Sequence, residues 1–128
     1  MSVLEHDATL PVPPDAMALR AALEQARETV RAGLLEGRGG GELLVQLSER
    51  IIELITPPCA QAVGRALARF GKLAIVVVGG LARSEHCPHS DIDLMILCAD
   101  PIAEGEAEGE AFGEWMRELC HPLWDAGL

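Results

Sequence analysis

Asp91 and Asp93 stand one residue apart at the head of an apolar stretch, inside residues 79–97, GGLARSEHCPHSDIDLMIL. Alternate residues of a strand share a face, so both carboxylates are expected to project together. Phosphoryl transfer uses such an arrangement: two divalent cations about 3.5–4 Å apart hold the attacking and leaving oxygens of an in-line displacement, and rigid carboxylates hold the cations. Ile92, Leu94 and Ile96 are expected to face the core. They fix the register, because a slip of one residue would bury both charges. A D-x-D triplet alone also fits the plain capping of a strand end, and the flanking residues have to decide.

Gly79 and Gly80 precede the pair. Two glycines allow positive φ and a close approach of backbone amides to a phosphate, although an ordinary strand-ending turn uses them too. Arg83 is the single Lys or Arg between the two apolar stretches. It is the candidate to contact phosphate or to brace the aspartates, with a surface placement as the alternative. Ser84 and Ser90 are further phosphate-binding candidates, Ser90 being better suited to satisfying backbone groups next to Asp91. His86, Cys87 and His89 are compressed around Pro88, which does not suit a tetrahedral zinc site. Gly80 lies eleven and thirteen residues before the aspartates. That is too long for a hairpin turn and fits a short helix or loop folding the glycines back towards the carboxylates, with both facing one pocket. Neither G-x-x-x-x-G-K-[ST] nor G-x-G-x-x-G occurs, which excludes the P-loop and the dinucleotide fingerprint.

The elements that must position these residues are legible as periodicities. Residues 1–14 mix proline, acidic and polar residues without period and read as a flexible leader. A helical segment is expected over 15–71. Asp15 caps a first helix with the stripe Leu19, Leu23, Ala26, Val30 and Leu34, ended by Gly37 and the glycines at 39–41. A second helix over 42–55 buries Leu44, Leu47, Ile51, Leu54 and Ile55, and Pro57 and Pro58 stop it. A third, over 59–70, buries Ala62, Val63, Ala66, Leu67 and Phe70. The core of the domain is then expected over 72–128. Residues 73–78, LAIVVV, read as a buried strand. Residues 92–97 read as a second strand, 100–109 as a Gly/Glu-rich loop, and 111–119 as a last helix. Trp115 and Trp124 are expected as core anchors, not base-stacking residues. The fold class is therefore α/β in the α+β sense, helices followed by a small mixed sheet, and the absence of repeats excludes solenoids.

The chain has 128 residues, 49% apolar, which gives one modest domain. Its net charge of -10 and its lack of a basic stripe disfavour nucleic acid as partner, leaving metal ions and metal-chelated nucleotides. Much of the acidity sits in Glu104, Glu106, Glu108 and Glu110, a solvated loop. The four cysteines, 59, 87, 98 and 120, form no C-x-x-C pair and are expected as reduced thiols. No signal-like start or long apolar run is present, so a cytoplasmic location without membrane association is expected.

The string from 73 onward resembles the nucleotidyltransferase superfamily related to DNA polymerase beta: an apolar strand, a Gly-Gly turn, then a D-x-D strand. It is most similar to the bacterial PII uridylyltransferase/uridylyl-removing enzyme family, through AIVVVGG, Arg83 with Glu85, CPHSDIDLMIL, and a helix ending in Leu-Trp-Asp-x-Gly-Leu at 123–128. The likeness covers roughly 43–128. It implies that Gly79 and Gly80 bind a nucleoside triphosphate and that Asp91 and Asp93 hold magnesium in a two-metal site. It also implies that UTP is the substrate and a tyrosine of the PII nitrogen-regulatory protein the acceptor. Leu81 and Ala82 stand where the family usually carries an aromatic residue and a glycine, and Ser84 and His86 replace commoner residues. The family's third carboxylate is expected after the Leu-Trp-Asp segment, so the domain reads as truncated, without the phosphohydrolase and ACT modules. Apolar surface is then expected where later strands would dock, favouring association. A non-catalytic nucleotide-binding or regulatory module is the alternative in another class. Glutamine-synthetase adenylyltransferase and antitoxin-like nucleotidyltransferases are the alternatives within the enzyme class.

Overall fold

The computed structural model describes residues 2–4, 16–102 and 105–128. Its elements run β1 (Ser2–Leu4), α1 (Ala16–Leu35), α2 (Gly40–Phe70), β2 (Leu73–Val78), α3 (Gly79–Ala82), β3 (Asp93–Cys98) and α4 (Glu106–Asp125). This is an α+β fold. Helices pack on one face of an antiparallel sheet ordered β1-β2-β3. No parallel pair occurs among the described residues, where a mixed sheet is expected: the β2–β3 link holds one helical turn and a loop, not the crossover helix that parallel strands use. β1 lies within the stretch read as a flexible leader and pairs with β2, Val3 opposite Val76. Asp15, the expected helix cap, lies outside the described residues.

Helix α1 buries Leu19, Leu23, Ala26 and Val30, and then Gly33 instead of Leu34. A 3.6-residue period drifts across the stripe, and Gly33 reaches the interface first, where an added Cβ would come 2.7 Å from Leu43 Cδ2. Leu34 is left exposed. Gly37 ends the helix at φ 83. Its amide bonds the Leu34 carbonyl at 3.0 Å and the Arg38 amide bonds the Gly33 carbonyl at 2.9 Å, closing the αL cap.

The expected stop at Pro57 and Pro58 is overturned, for α2 runs through both as one helix. Each proline removes one intrahelical hydrogen bond, but the buried stripe continues across them from Ile51, Leu54 and Ile55 to Cys59, Ala62 and Ala66. Packing of that continuous face against the core holds the helix together where local propensity would break it. Thr56 Oγ1 adds a bond of 2.6 Å to the Ile52 carbonyl one turn back. Within the expected faces, Leu43 takes the buried place assigned to Leu44, and Leu67 is exposed.

The core joins Ile75 and Val77 of β2 to the buried stripes of α1, α2 and α4. β2 matches its expected bounds. β3 begins at Asp93, one residue later than expected, and α4 begins at Glu106, inside the expected loop. Glu106 and Glu108 occupy its first turn, where carboxylates complement the helix dipole. Trp115 is buried, and its Nε1 donates to the Ala62 carbonyl at 2.8 Å, tying α4 to α2. Phe70 meets Phe112 and Trp115 edge-on, with the Phe70–Phe112 centroids 5.3 Å apart, and Phe112 lies tilted against Trp115. Trp124 is not a core anchor: it is 62% exposed and lies beside His121. Helix register decides this, since Leu123 and Ala126 occupy the buried positions on either side.

Candidate active site

β2 and β3 pair with Val78 opposite Asp93, which sets the glycine turn directly beside the second aspartate. Asp91, Asp93, Met95 and Leu97 are exposed, while Ile92, Leu94, Ile96 and Cys98 are half-buried. Of these, Ile92, Leu94 and Ile96 pack against the core. Within β3 the alternation puts Asp93, Met95 and Leu97 on its more exposed face, Met95 and Leu97 being 41% and 47% exposed, and Asp91 lies exposed two residues before the strand face begins.

Gly79 adopts φ 68, the left-handed region that favours glycine. A Cβ there would stand 2.5 Å from Asp93 Oδ2 and 3.4 Å from its Cγ. The Asp93 carboxylate therefore rests against the bare Cα of Gly79, and the glycine is required as much for that contact as for its backbone angle. Gly80 does not share the positive φ expected for both glycines. It is the second residue of the single turn α3, and its carbonyl accepts the Arg83 and Glu85 amides at 3.2 and 2.9 Å. The turn thus folds back on itself through a carbonyl.

Arg83 Nε donates to Glu85 Oε2 at 3.0 Å, an exposed pair. Among the described residues no ion pair joins Arg83 to either aspartate, so the bracing expected of it goes to Glu85 instead. Ser84 is half-buried at φ 59, a left-handed position uncommon for a non-glycine residue. Its amide bonds the Leu81 carbonyl at 3.2 Å. The exposed Ser90 closes a tight turn through its own amide, which donates to the Cys87 carbonyl at 3.0 Å.

Three residues outside the expected set hold this loop. His86 is buried, its amide donating to Ser48 Oγ of α2 at 3.1 Å, while Cys87 and His89 on either side of Pro88 are exposed. Ser48 Oγ in turn donates to the Leu44 carbonyl at 2.8 Å. Arg27 of α1 donates through Nε to the Pro88 carbonyl at 2.6 Å and through Nη2 to the Gly127 carbonyl at 3.1 Å. Burial holds the His86 imidazole below its ordinary value of 6.5, the Arg27 charge acts the same way, and Asp93 acts against both. Of the three, the sequence marks His86 only within a cluster unsuited to zinc and Ser48 only as a small polar residue inside an apolar stripe, and nothing marks Arg27. Bonds spanning 38 to 100 residues leave no local period to read.

The Leu-Trp-Asp-x-Gly-Leu ending is a helix stop. Gly127 sits at φ 91. The Gly127 amide bonds the Trp124 carbonyl at 2.9 Å and the Leu128 amide bonds the Leu123 carbonyl at 3.0 Å, the same cap that Gly37 gives α1. Leu128 then packs against the core.

As to metal, the exposed carboxylates of Asp91 and Asp93, one residue apart at the entry to β3, are hard oxygen donors. Mg²⁺ is commonly bound by one or two carboxylates together with substrate phosphates and water, so the donor chemistry of the pair fits it. Among the described residues, no group of three or more His, Cys, Asp or Glu side chains is placed to hold a metal ion. Nor is any described helix long and apolar enough to cross a membrane.

The bifunctional uridylyltransferase/uridylyl-removing enzyme of Nitrosospira multiformis is 32% identical over 111 residues, which cover 87% of this chain. Enzymes of the same description from Bradyrhizobium sp. strain BTAi1 and Rhodospirillum rubrum are 34% and 31% identical, each over 86% of the chain. The matched segment is 12% of the length of each of these relatives. No solved structure matches. The profile of the family described as "Putative nucleotidyltransferase DUF294" matches residues 18–128, an extent that takes in α1, the glycine turn, the D-x-D strand and the capped end of α4. With the glycine turn set against the second aspartate of a D-x-D strand, and with that match over most of its length, the chain belongs to the DUF294 nucleotidyltransferase family.

Proposed function

We propose that this chain supplies the nucleotide-binding and metal-binding side of a nucleotidyl-transfer site that moves a uridylyl group from Mg-UTP to a tyrosine of a PII-type protein. The observation that carries the reading is the contact of the Asp93 carboxylate with Gly79, with the exposed Asp91 two residues before it in the chain. In this reading Asp91 and Asp93 hold Mg²⁺, which when bound offsets the charge of the triphosphate. Gly79 and Gly80 keep the turn low enough for the phosphates to approach. Arg83 exchanges Glu85 for phosphate, a charge-assisted contact of similar geometry. Ser84 and Ser90 lie along the same loop as further donors to phosphate oxygens. The acceptor's phenolic oxygen attacks the α-phosphorus, its proton passes to solvent, and the bond from the α-phosphorus to the pyrophosphate oxygen breaks. The products are a uridylyl-tyrosine diester and pyrophosphate. Binding here would work by positioning and charge stabilisation. The uridylyl group enters through the relatives' description as uridylyltransferases, UTP and PII enter through the family resemblance, and a cytoplasmic, nitrogen-regulatory setting belongs to the same reading.

The test is Mg-dependent incorporation of labelled UMP into PII by the protein carrying this chain, beside Asp91→Asn and Asp93→Asn. Each substitution is expected to lower incorporation by at least about 100-fold, in keeping with the loss of a positioned charge at a reacting phosphate. Activity that survives both would refute the metal assignment. Retained UTP binding with no transfer in the unaltered protein would favour a nucleotide-binding module instead.

A further inference from the structure

We propose that Arg27 is a positioning residue, a two-pronged clamp that fixes the loop leading into Asp91 and Asp93 against the helical layer and the capped end of α4. The proposal rests on the metal-binding reading of the aspartates and extends it to a residue more than sixty positions away in the chain.

Three segments distant in sequence meet at this one guanidinium. Arg27 sits half-buried on α1, next to Ala26 of the buried stripe. Its Nε reaches the Pro88 carbonyl at 2.6 Å and its Nη2 the Gly127 carbonyl at 3.1 Å. The planar fork of guanidinium N–H groups is suited to holding two fixed acceptors at once, which the single ammonium of lysine does not reproduce. Pro88 is three residues before Asp91, and the intervening chain is taut: the Ser90 amide closes a turn onto the Cys87 carbonyl at 3.0 Å. A displacement at Pro88 therefore passes to the aspartates with little slack. The second anchor is independent. Two residues earlier, the His86 amide is held by Ser48 Oγ of α2 at 3.1 Å, with the imidazole buried. The His86 imidazole feels the charges of both Arg27 and Asp93. The Gly127 end makes the loop geometry depend on α4 being capped and docked, and so gives the Leu-Trp-Asp-x-Gly-Leu ending a role at the site without a catalytic group of its own.

Mn²⁺ binding in the presence of UTP, read from the electron paramagnetic resonance signal of free Mn²⁺, tests this on the whole protein without requiring turnover. Arg27→Met, Arg27→Lys and Ser48→Ala are compared with Asp93→Asn and with Arg31→Met, which removes an equal charge one turn along α1 from a side chain bonded to Glu28. Hydrogen exchange over residues 84–91 is followed in parallel. Arg27→Met and Arg27→Lys should each weaken Mn²⁺ binding about 10- to 100-fold, the scale of a misplacement near 1 Å. Loop amides should exchange faster while those of α2 stay protected, and Arg31→Met should bind as the unaltered protein does. If Arg27→Met fails to fold, Arg27→Lys, which keeps stem and charge, carries the same test. Unchanged binding in the Arg27 variants, with binding lost in Asp93→Asn, overturns the clamp and leaves the metal reading standing. An equal loss in Arg31→Met reduces the effect to bulk charge and also overturns it. Unchanged binding in Asp93→Asn overturns the metal reading itself, and the clamp with it.

Discussion

At the scale of single residues, the glycine turn changes meaning once its partner is known. In the sequence, Gly79 and Gly80 look equivalent, two flexible residues that let a phosphate come close. In the fold only Gly79 takes positive φ, and its missing side chain makes room for Asp93. Gly79→Ala is therefore expected to act twice. The left-handed angle costs about 1–3 kcal/mol for a residue with a Cβ, which a shift of the urea midpoint measures. The Cβ also pushes the Asp93 carboxylate aside, so Mn²⁺ affinity should fall as well. Gly80→Ala meets only the Glu85 carbonyl, 3.5 Å away, and should bind the metal more nearly as the unaltered protein does. Equal losses in both variants would return the two glycines to one role. Asp91 and Asp93 were legible from their own spacing and from the alternating apolar neighbours. The roles of Arg27 and His86 were not, because nothing local in the chain signals a bond to the Pro88 carbonyl 61 residues later or to the Ser48 hydroxyl 38 residues earlier.

At the scale of elements, α2 shows where local rules give way. Pro57 and Pro58 forbid two backbone hydrogen bonds, and by propensity the helix should end there. It continues because a single buried stripe runs along both halves and α4 packs across it. The Trp115 indole bonds the Ala62 carbonyl four residues after Pro58 and locks the second half of α2 to α4. Trp115→Phe keeps most of the ring contacts and removes that donor, leaving a buried carbonyl without it. A loss of about 1–3 kcal/mol is expected, read as a lower urea midpoint with an unchanged slope. A change below the error of the midpoint would show that packing alone fixes the two helices. Trp124 serves as the matched contrast: being exposed, its replacement by Phe should leave the midpoint in place.

For the whole molecule, two buried groups contribute to the dependence of stability on pH in opposite senses. His86 is held below 6.5 by burial first. Between its lowered value and 6.5 the unfolded chain binds the proton more readily than the fold does, so stability rises with pH across that window and is complete above it. The urea midpoint should be lower at pH 5 than at pH 7, and His86→Gln should flatten the difference. Cys59 behaves in the opposite sense, burial raising its thiol from 9.0 to about 12. The unfolded chain then loses its proton first, and stability falls as pH climbs from 9 towards 12. In the folded protein at pH 8 an alkylating reagent should label the exposed Cys87 and spare Cys59; labelling of Cys59 at the Cys87 rate would contradict its burial. The sequence by itself determined the fold class, the bounds of the central strand and the alternation along β3, because a period of two, a period of 3.6 and a glycine turn are local properties of a chain. Only the tertiary structure decided that α2 passes through two prolines, that Trp124 stays outside the core, and that Gly79 yields its space to Asp93. It alone joined Arg27 to both Pro88 and Gly127. Each of these depends on which surfaces meet after folding, and the energy of burying a face or pairing a distant carbonyl outweighs the preference of any single residue.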